Sequence, residues 1–372
     1  MRPLMKKFLL IACMLLSELS SSGQVRWHDP MKAAVSPVEG LGWPGEVRTD
    51  PLQRLPDRMR PLVRPVIWML SQNNAGLSIR FRTDSPQIVV RYGLSDPYAQ
   101  PHMPATGFSG VDLYARTTQG EQVCPAGSHE FADTVTYRYG TIGYGERAEA
   151  GGREFRLYLP VCNHVTWMEI GTAQDASFEF LPARTEKPVV VYGTSITQGI
   201  ACSRPGMSWT SQTARALDCP LVNLGFAGNG LLEPELIGEI AKIDARVYVL
   251  DCLPNLVFLP KEEVKALVAA AVRQLREKRP GTPILLSDHP GFPHKGLVDS
   301  LLRHETKVRE AVEEACAELV RDKIPRLYFL SQQQIGLPAD GTVEGLHPTD
   351  YGMAAYAAAY EKALRRIFRQ NR

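Results

Sequence analysis

Val189-Val-Val-Tyr-Gly-Thr-Ser-Ile-Thr-Gln-Gly199 sets strand-forming residues directly against a turn rich in hydroxyls. An unbroken run of β-branched and aromatic residues predicts a strand buried on both faces, and the Gly-Thr-Ser that follows predicts its abrupt end. Two readings of the hydroxyls compete. Either Ser or Thr here caps the helix that follows, or Ser195 is a nucleophile held where strand gives way to helix. The local pattern favours neither, so the surrounding chain has to decide.

Downstream of this stretch, further apolar runs at Leu221 to Leu224, Val247 to Leu250, Ile284 to Ser287 and Leu327 to Leu330 alternate with helical periods, notably Lys261 to Glu277 and Val298 to Leu319. Buried Val and Leu runs separated by amphipathic helices predict a parallel sheet covered on both faces. Such sheets bind ligands at the carboxyl ends of their strands. Ser195 lies at that edge. Three more loops should converge on it: Asn223-Leu-Gly-Phe-Ala-Gly-Asn-Gly230, Asp251-Cys-Leu-Pro-Asn255, and Glu344-Gly-Leu-His-Pro-Thr-Asp350 before the last helix.

Upstream the texture differs. From Val25 to about Ala183 the pattern reads as all-β. Leu77-Ser-Ile-Arg-Phe-Arg and Phe155-Arg-Leu-Tyr-Leu159 alternate with period two, and Ile88-Val-Val-Arg-Tyr92 follows a Ser-Pro turn. Short strands with Gly and Pro turns predict a β-sandwich, jelly-roll-like. The polar, Pro-bounded joint Leu181-Pro-Ala-Arg-Thr-Glu-Lys-Pro188 then separates a domain over 24–184 from one over 185–372.

Ahead of both, MRPLMKKFLLIACMLLSELSSSGQ has a positive start (Arg2, Lys6, Lys7), an apolar stretch from Phe8 to Leu16 and a small-residue exit at Ser21-Ser22-Gly23. This predicts a signal peptide over 1–23 cleaved before Gln24, hence export to the periplasm or beyond. The apolar run is too short for the ~20 residues a membrane span needs. Leu10-Ile-Ala-Cys13 resembles a lipoprotein box, but Cys13 falls inside the apolar run, so anchoring is the minority expectation.

With 372 residues and a net charge of +2, the chain has room for two domains and carries no basic run that would suggest nucleic acid. Seven cysteines, six after removal of Cys13, are widely spaced without a Cys-x-x-Cys pair, so buried free thiols are as good a reading as any bridge. His289 and His294 fall in no metal-ligand spacing and are expected at the surface or a pocket rim. No metal, cofactor or membrane span is expected.

Taken in order, Gly-Thr-Ser-Ile-Thr, Asn-Leu-Gly-Phe-Ala-Gly-Asn-Gly, Asp-Cys-Leu-Pro-Asn and Gly-Leu-His-Pro-Thr resemble the four blocks of the SGNH (GDSL-type) hydrolases. Gly110-Val-Asp-Leu-Tyr114 resembles the GxDLY domain that precedes the catalytic domain in one bacterial branch; its plain physical reading is a turn entering a strand. The resemblance implies a flavodoxin-like three-layer α/β hydrolase domain. It also implies a catalytic triad of Ser195, His347 and Glu344, with an oxyanion hole built from the backbone N–H groups of Ser195 and Gly228 and the side-chain amide of Asn255.

Elementary chemistry gives each residue a reason. A serine hydroxyl is a poor nucleophile until a base within hydrogen-bond reach takes its proton, which is the task of His347. Attack on an ester carbonyl develops an oxyanion, which preorganised donors stabilise by several kcal/mol. Taken singly, Asn255 reads as a turn residue and Gly228 as a loop glycine. Two positions depart from the family pattern: Glu344 stands where Asp is usual three residues before the histidine, with Asp340 as a substitute acid, and Thr194 stands where the family name has Asp. The expectation is a secreted serine esterase acting on acetyl or other short acyl esters, with a small-molecule or glycan substrate. The alternatives are a lipid or thioester hydrolase, or a catalytically inactive glycan-binding protein.

Overall fold

The computed structural model describes residues 24–140, 142–143, 152–293 and 296–371. The expected signal peptide and lipoprotein box, and His294, lie outside the described residues.

The first half builds two antiparallel sheets. One runs in the order Val25–His28, Val165–Ala173, Ile88–Leu94, Val135–Tyr139, Ala126–Glu130; the other runs Phe178–Phe180, Ser78–Thr83, Arg153–Tyr158, Asp112–Thr117, Gly120–Val123. Alternation drives their pairing. In Ser78–Thr83, Ile79 and Phe81 are fully buried while Arg80 and Arg82 point outward, because successive side chains leave opposite faces of a strand. Ile79, Phe81 and Phe155 of one sheet pack with Val90, Tyr92 and Ile170 of the other in one apolar core, which makes the pair a sandwich.

The second half is a five-stranded parallel sheet in the spatial order Leu221–Gly225, Val189–Gly193, Val247–Asp251, Ile284–Ser287, Leu327–Leu330, the flavodoxin-like 2-1-3-4-5 arrangement. The same period-two rule now buries both faces. Val190, Tyr192, Tyr248 and Leu250 face one helical layer, with Ile237, Val268, Val272 and Val312. Val189, Val191, Val247 and Val249 face the other, where Trp209, Met353, Tyr356 and Tyr360 pack. All five residues of Val189–Gly193 are buried, so the strand bearing Ser195 at its end is the rigid centre of the domain.

The all-β reading of residues 25–183 needs one correction. Between the strands Val38–Glu39 and Ser78–Thr83 the chain makes an excursion that includes the helix Pro65–Ser71; Leu52 stays in the sandwich core, but much of the rest leaves it. Trp43, Leu55, Met59 and Ile67 bury themselves in the apolar layer of the α/β half. Arg54 follows them, fully buried, donating to the carbonyls of Asn223 (3.2 Å) and Gly225 (2.8 Å) with its guanidinium over Phe226. Burial pushes its pKa down to about 9. Each of the four apolar side chains contributes roughly 1.5–3 kcal/mol by burial. A chain cut at the Pro-bounded joint would expose that surface and orphan the carbonyls that Arg54 serves.

A second tie uses the Gly110–Tyr114 motif, which enters the strand Asp112–Thr117 as the turn reading expects. Buried Asp112 accepts from the Arg204 guanidinium and from Gly206 N–H (3.1 Å), and Tyr114 Oη accepts from Arg204 at 2.8 Å. The motif therefore clamps the loop that follows the Ser195 helical turn.

Cys124, Cys162, Cys202, Cys219, Cys252 and Cys316 are free thiols. No helix among the described residues is long and apolar enough to cross a membrane.

Candidate active site

The strand Val189–Gly193 ends at Thr194, whose hydroxyl accepts from Ile196 N–H at 3.2 Å and so caps the helical turn Ser195–Gln198. The capping role and Ser195 are thereby separated. Thr194 does the local structural task, and the Ser195 hydroxyl points to His347, with Nε2 at 2.8 Å from Oγ. Ser195 is only 6% exposed, so its hydroxyl is held rather than free to rotate into bulk water.

His347 sits in the loop before the helix Asp350–Gln370, with its carbonyl accepting from Val343 N–H at 2.9 Å. Its Nδ1 meets Glu344 Oε1 in a short contact, and the same carboxylate oxygen accepts the backbone N–H of His347 at 3.2 Å. With Nδ1–H donated to the carboxylate, Nε2 is left as the acceptor for the serine proton. Gly345, at φ +91°, makes the turn between acid and base. Asp340 is exposed and has no hydrogen bond or ion pair among the described residues. The carboxylate on the imidazole is that of Glu344.

The two other loops arrive at the same edge. Gly228 has φ +68°, a left-handed conformation that glycine adopts without strain, and only open space lies where a Cβ would stand. Asn255 follows Asp251 in the turn Leu253–Leu256; its Oδ1 accepts from Gly230 N–H at 3.0 Å. That bond fixes the amide orientation and leaves Nδ2 as the donor end.

Several further residues brace or border this arrangement. Gln198 accepts from Ala227 N–H (3.1 Å) and donates to Val161 O (3.1 Å), tying the Ser195 turn to the Gly228 loop and to the first half. Arg64, from the excursion, donates to Asn229 Oδ1 at 2.9 Å and pairs with Glu233. Asp350 accepts from Ser203 N–H at 2.8 Å, linking the helix after His347 to the loop clamped by Asp112. His102, from the sandwich, has its ring centroid 6.0 Å from that of His347. Arg64 and His102 come from distant sequence, and Gln198 and Asp350, each three residues from Ser195 or His347, have distant partners, so neither spacing nor periodicity marks these contacts. His289, expected at the surface or a rim, is instead fully buried, accepting from Gly291 N–H at 3.0 Å and packed on Phe292. It lies two residues after the buried strand Ile284–Ser287, and the turn at Gly291 folds back onto its ring.

Behind the Ser195 turn, Asp251 is buried and accepts from Thr197 Oγ1 at 2.7 Å. Burial pushes its carboxyl up to about 7, against the opposing pull of the Thr197, Tyr360 and Ser287 hydroxyls. The folded protein thus holds this proton up to about pH 7, while the unfolded chain releases it near the ordinary value of 3.8. The stabilising share is complete below the unfolded value and is lost as pH rises through the folded one. Asp251→Asn, which cannot ionise, is expected to gain on the wild type by on the order of 3 kcal/mol between pH 4 and pH 8. Urea unfolding of both proteins across that range checks it; parallel curves would show that Asp251 does not titrate there.

The site thus offers a serine hydroxyl on an imidazole, a carboxylate on the far nitrogen, and donors on two adjoining loops. Against known proteins, residues 186–365 match the GDSL-like Lipase/Acylhydrolase family and residues 25–178 match the GxDLY family, the N-terminus of SGNH-type esterases. Among solved structures, a GDSL-like protein from Bacteroides ovatus ATCC 8483 is similar with a TM-score of 0.83 and 28% identity, covering 93% of this chain and 98% of its own. The salicylyl-acyltransferase SsfX3 from a tetracycline biosynthetic pathway follows at 0.71 and 19%, covering 92% and 98%. A family two carbohydrate esterase from Clostridium thermocellum, in complex with cellohexaose, gives 0.51 and 14%, covering 79% and 93%. At those identities the last two show a shared fold. No curated protein matches the chain.

Proposed function

Since this chain belongs to the GDSL-like lipase/acylhydrolase family and carries the GxDLY domain of SGNH-type esterases, we propose that it is an exported serine esterase releasing acetyl or other short acyl groups from carbohydrate. The observation that carries the chemistry is the hydrogen-bonded chain Ser195–His347–Glu344.

His347 Nε2 takes the Ser195 proton as Oγ attacks the ester carbonyl, and the new C–O bond pushes the carbonyl electrons onto oxygen. Ser195 N–H, Gly228 N–H and Asn255 Nδ2 receive that oxyanion. Collapse breaks the ester C–O bond, and the departing alcohol takes the proton from His347. Water, deprotonated by the same imidazole, then releases the acid and restores Ser195. Glu344 holds the ring and stabilises its charge during both halves.

The acyl size and the carbohydrate are read from three features. The family acts on esters, one fold neighbour binds cellohexaose by its own description, and residues 1–23 have the composition of an export signal. Initial rates on p-nitrophenyl esters from acetate to laurate, beside a partially acetylated cello-oligosaccharide, test the reading. Turnover is expected on acetate through butyrate and on the sugar ester, with a steep fall beyond. Preference for eight or more carbons would instead favour the lipid hydrolase.

A further inference from the structure

The sandwich reaches the catalytic base through one side chain. His102 lies on the loop between the strand Ile88–Leu94 and the short helix Ala105–Phe108, and its ring partly overlies that of His347, with centroids 6.0 Å apart and planes at 29°. Both nitrogens of His347 are already engaged, Nδ1 by Glu344 and Nε2 by Ser195. His102 therefore borders the base without competing for its bonds.

The loop is anchored on both sides of this ring. Asn163 Nδ2 donates to the carbonyls of Asp96 (3.0 Å) and Pro97 (3.3 Å), and Met103 N–H donates to Gln100 O at 3.0 Å. Met103, only 2% exposed, plugs into the same apolar cluster as Ile196, the residue after the serine. Gly107 lies so close to the Cys202 carbonyl that a Cβ would meet its oxygen at 2.1 Å. With Met103 fixed in that core, the position of His102 is set relative to Ser195. Yet the imidazole itself is half-buried and finds no hydrogen-bond partner among the described residues. A polar ring held rigidly at the mouth of a site, with its donor and acceptor unspent, is placed to bind something that arrives.

What arrives there follows from the chemistry. In ester cleavage the leaving oxygen must come within about 3 Å of His347 Nε2 to take its proton. Substituents on the carbon bearing that oxygen then lie beside the base, on the alcohol side of the scissile bond. Resting on the esterase reading above, we propose that His102 is a specificity-determining residue for the alcohol, hydrogen-bonding a free hydroxyl next to the esterified one and so favouring polyol esters over simple alcohol or phenol esters. A neutral imidazole both donates and accepts, which suits a hydroxyl. Its bond would be made by the N-terminal half, giving the sandwich a direct part in substrate choice.

The test compares wild type, His102→Ala, His102→Gln and Ser195→Ala on two substrates: a partially acetylated cello-oligosaccharide, which has neighbouring hydroxyls, and p-nitrophenyl acetate, which has none. His102→Ala is expected to lower kcat/KM on the sugar ester about three- to tenfold, in line with one lost neutral hydrogen bond, while p-nitrophenyl acetate changes less than twofold. His102→Gln, keeping a donor and an acceptor, should recover part of the loss. Equal losses on both substrates would show that the ring merely supports His347 or the fold, and no loss on either would show that it touches nothing; each overturns the proposal while leaving the esterase intact. An inactive wild type, or Ser195→Ala as active as wild type, would sink the esterase reading and this proposal with it.

Discussion

Ser195→Ala is expected to lower kcat by roughly 10⁴- to 10⁶-fold, His347→Ala by a similar factor, and the double variant by little more than either. The near-identity of the three losses is the informative part. A hydroxyl 2.8 Å from an imidazole nitrogen acts with it as one unit, since without the base the serine keeps its proton and without the serine the base has nothing to activate. What remains should come from the donors of Gly228 and Asn255 acting on a bound ester attacked by water. Single-turnover assays on p-nitrophenyl acetate, with folding checked by circular dichroism, give the comparison. Additive losses would mean that Ser195 and His347 do not act as one unit, and a Ser195→Ala variant retaining a tenth of the activity would mean that the nucleophile lies elsewhere.

Glu344→Gln comes next in size, with kcat expected to fall roughly ten- to a thousandfold. The amide keeps the shape and an oxygen facing Nδ1 but loses the charge that stabilises the imidazolium. Glu344 is 44% exposed in its side chain, and water supplies part of that stabilisation, so the effect should stay below that of removing the serine. Glu344→Asp is the sharper comparison. The turn through Gly345 at φ +91°, and the bond from His347 N–H to the same carboxylate oxygen, are built around the longer side chain. Aspartate should therefore be worse than glutamate although it is the residue usual among relatives. Asp340→Asn, exposed and remote from any partner, should be close to wild type. If Glu344→Gln were silent and Asp340→Asn inactive, the acid would be Asp340.

Much of this architecture was legible in linear order. The five strands of the parallel sheet, four of them buried, could be read from continuous apolar runs, and the sandwich strands from alternation, because each pattern is the direct record of which faces meet water. The excursion through Trp43, Leu55, Met59 and Ile67 left no such record. Its apolar residues are scattered at irregular intervals and serve a core formed mainly by residues from Val190 onward. A periodicity argument sees only elements that bury a regular face of their own.

The same division runs through the site. The loops carrying Ser195, Gly228, Asn255 and His347 could be expected to converge because the parallel fold brings the loops after its strands to one edge, while the choice of these residues within them came from the resemblance to the SGNH blocks. Whether Ser195 is a cap could not be read locally; the structure assigns that task to Thr194 through its bond to Ile196 N–H. Nor could the choice between Glu344 and Asp340, which depends on the backbone path through Gly345 and on a contact of a few ångströms. The bracing by Arg64, the distant partners of Gln198 and Asp350, and the place of His102 beside His347 belong to tertiary structure. The sequence alone determined the two folds and the residue types offered at the sheet edge, since these follow from burial pattern and strand order. Which side chains meet there, and that a ring from the sandwich lies beside the base, was decided only by packing between the halves, because contacts between residues far apart in the chain leave no periodic trace.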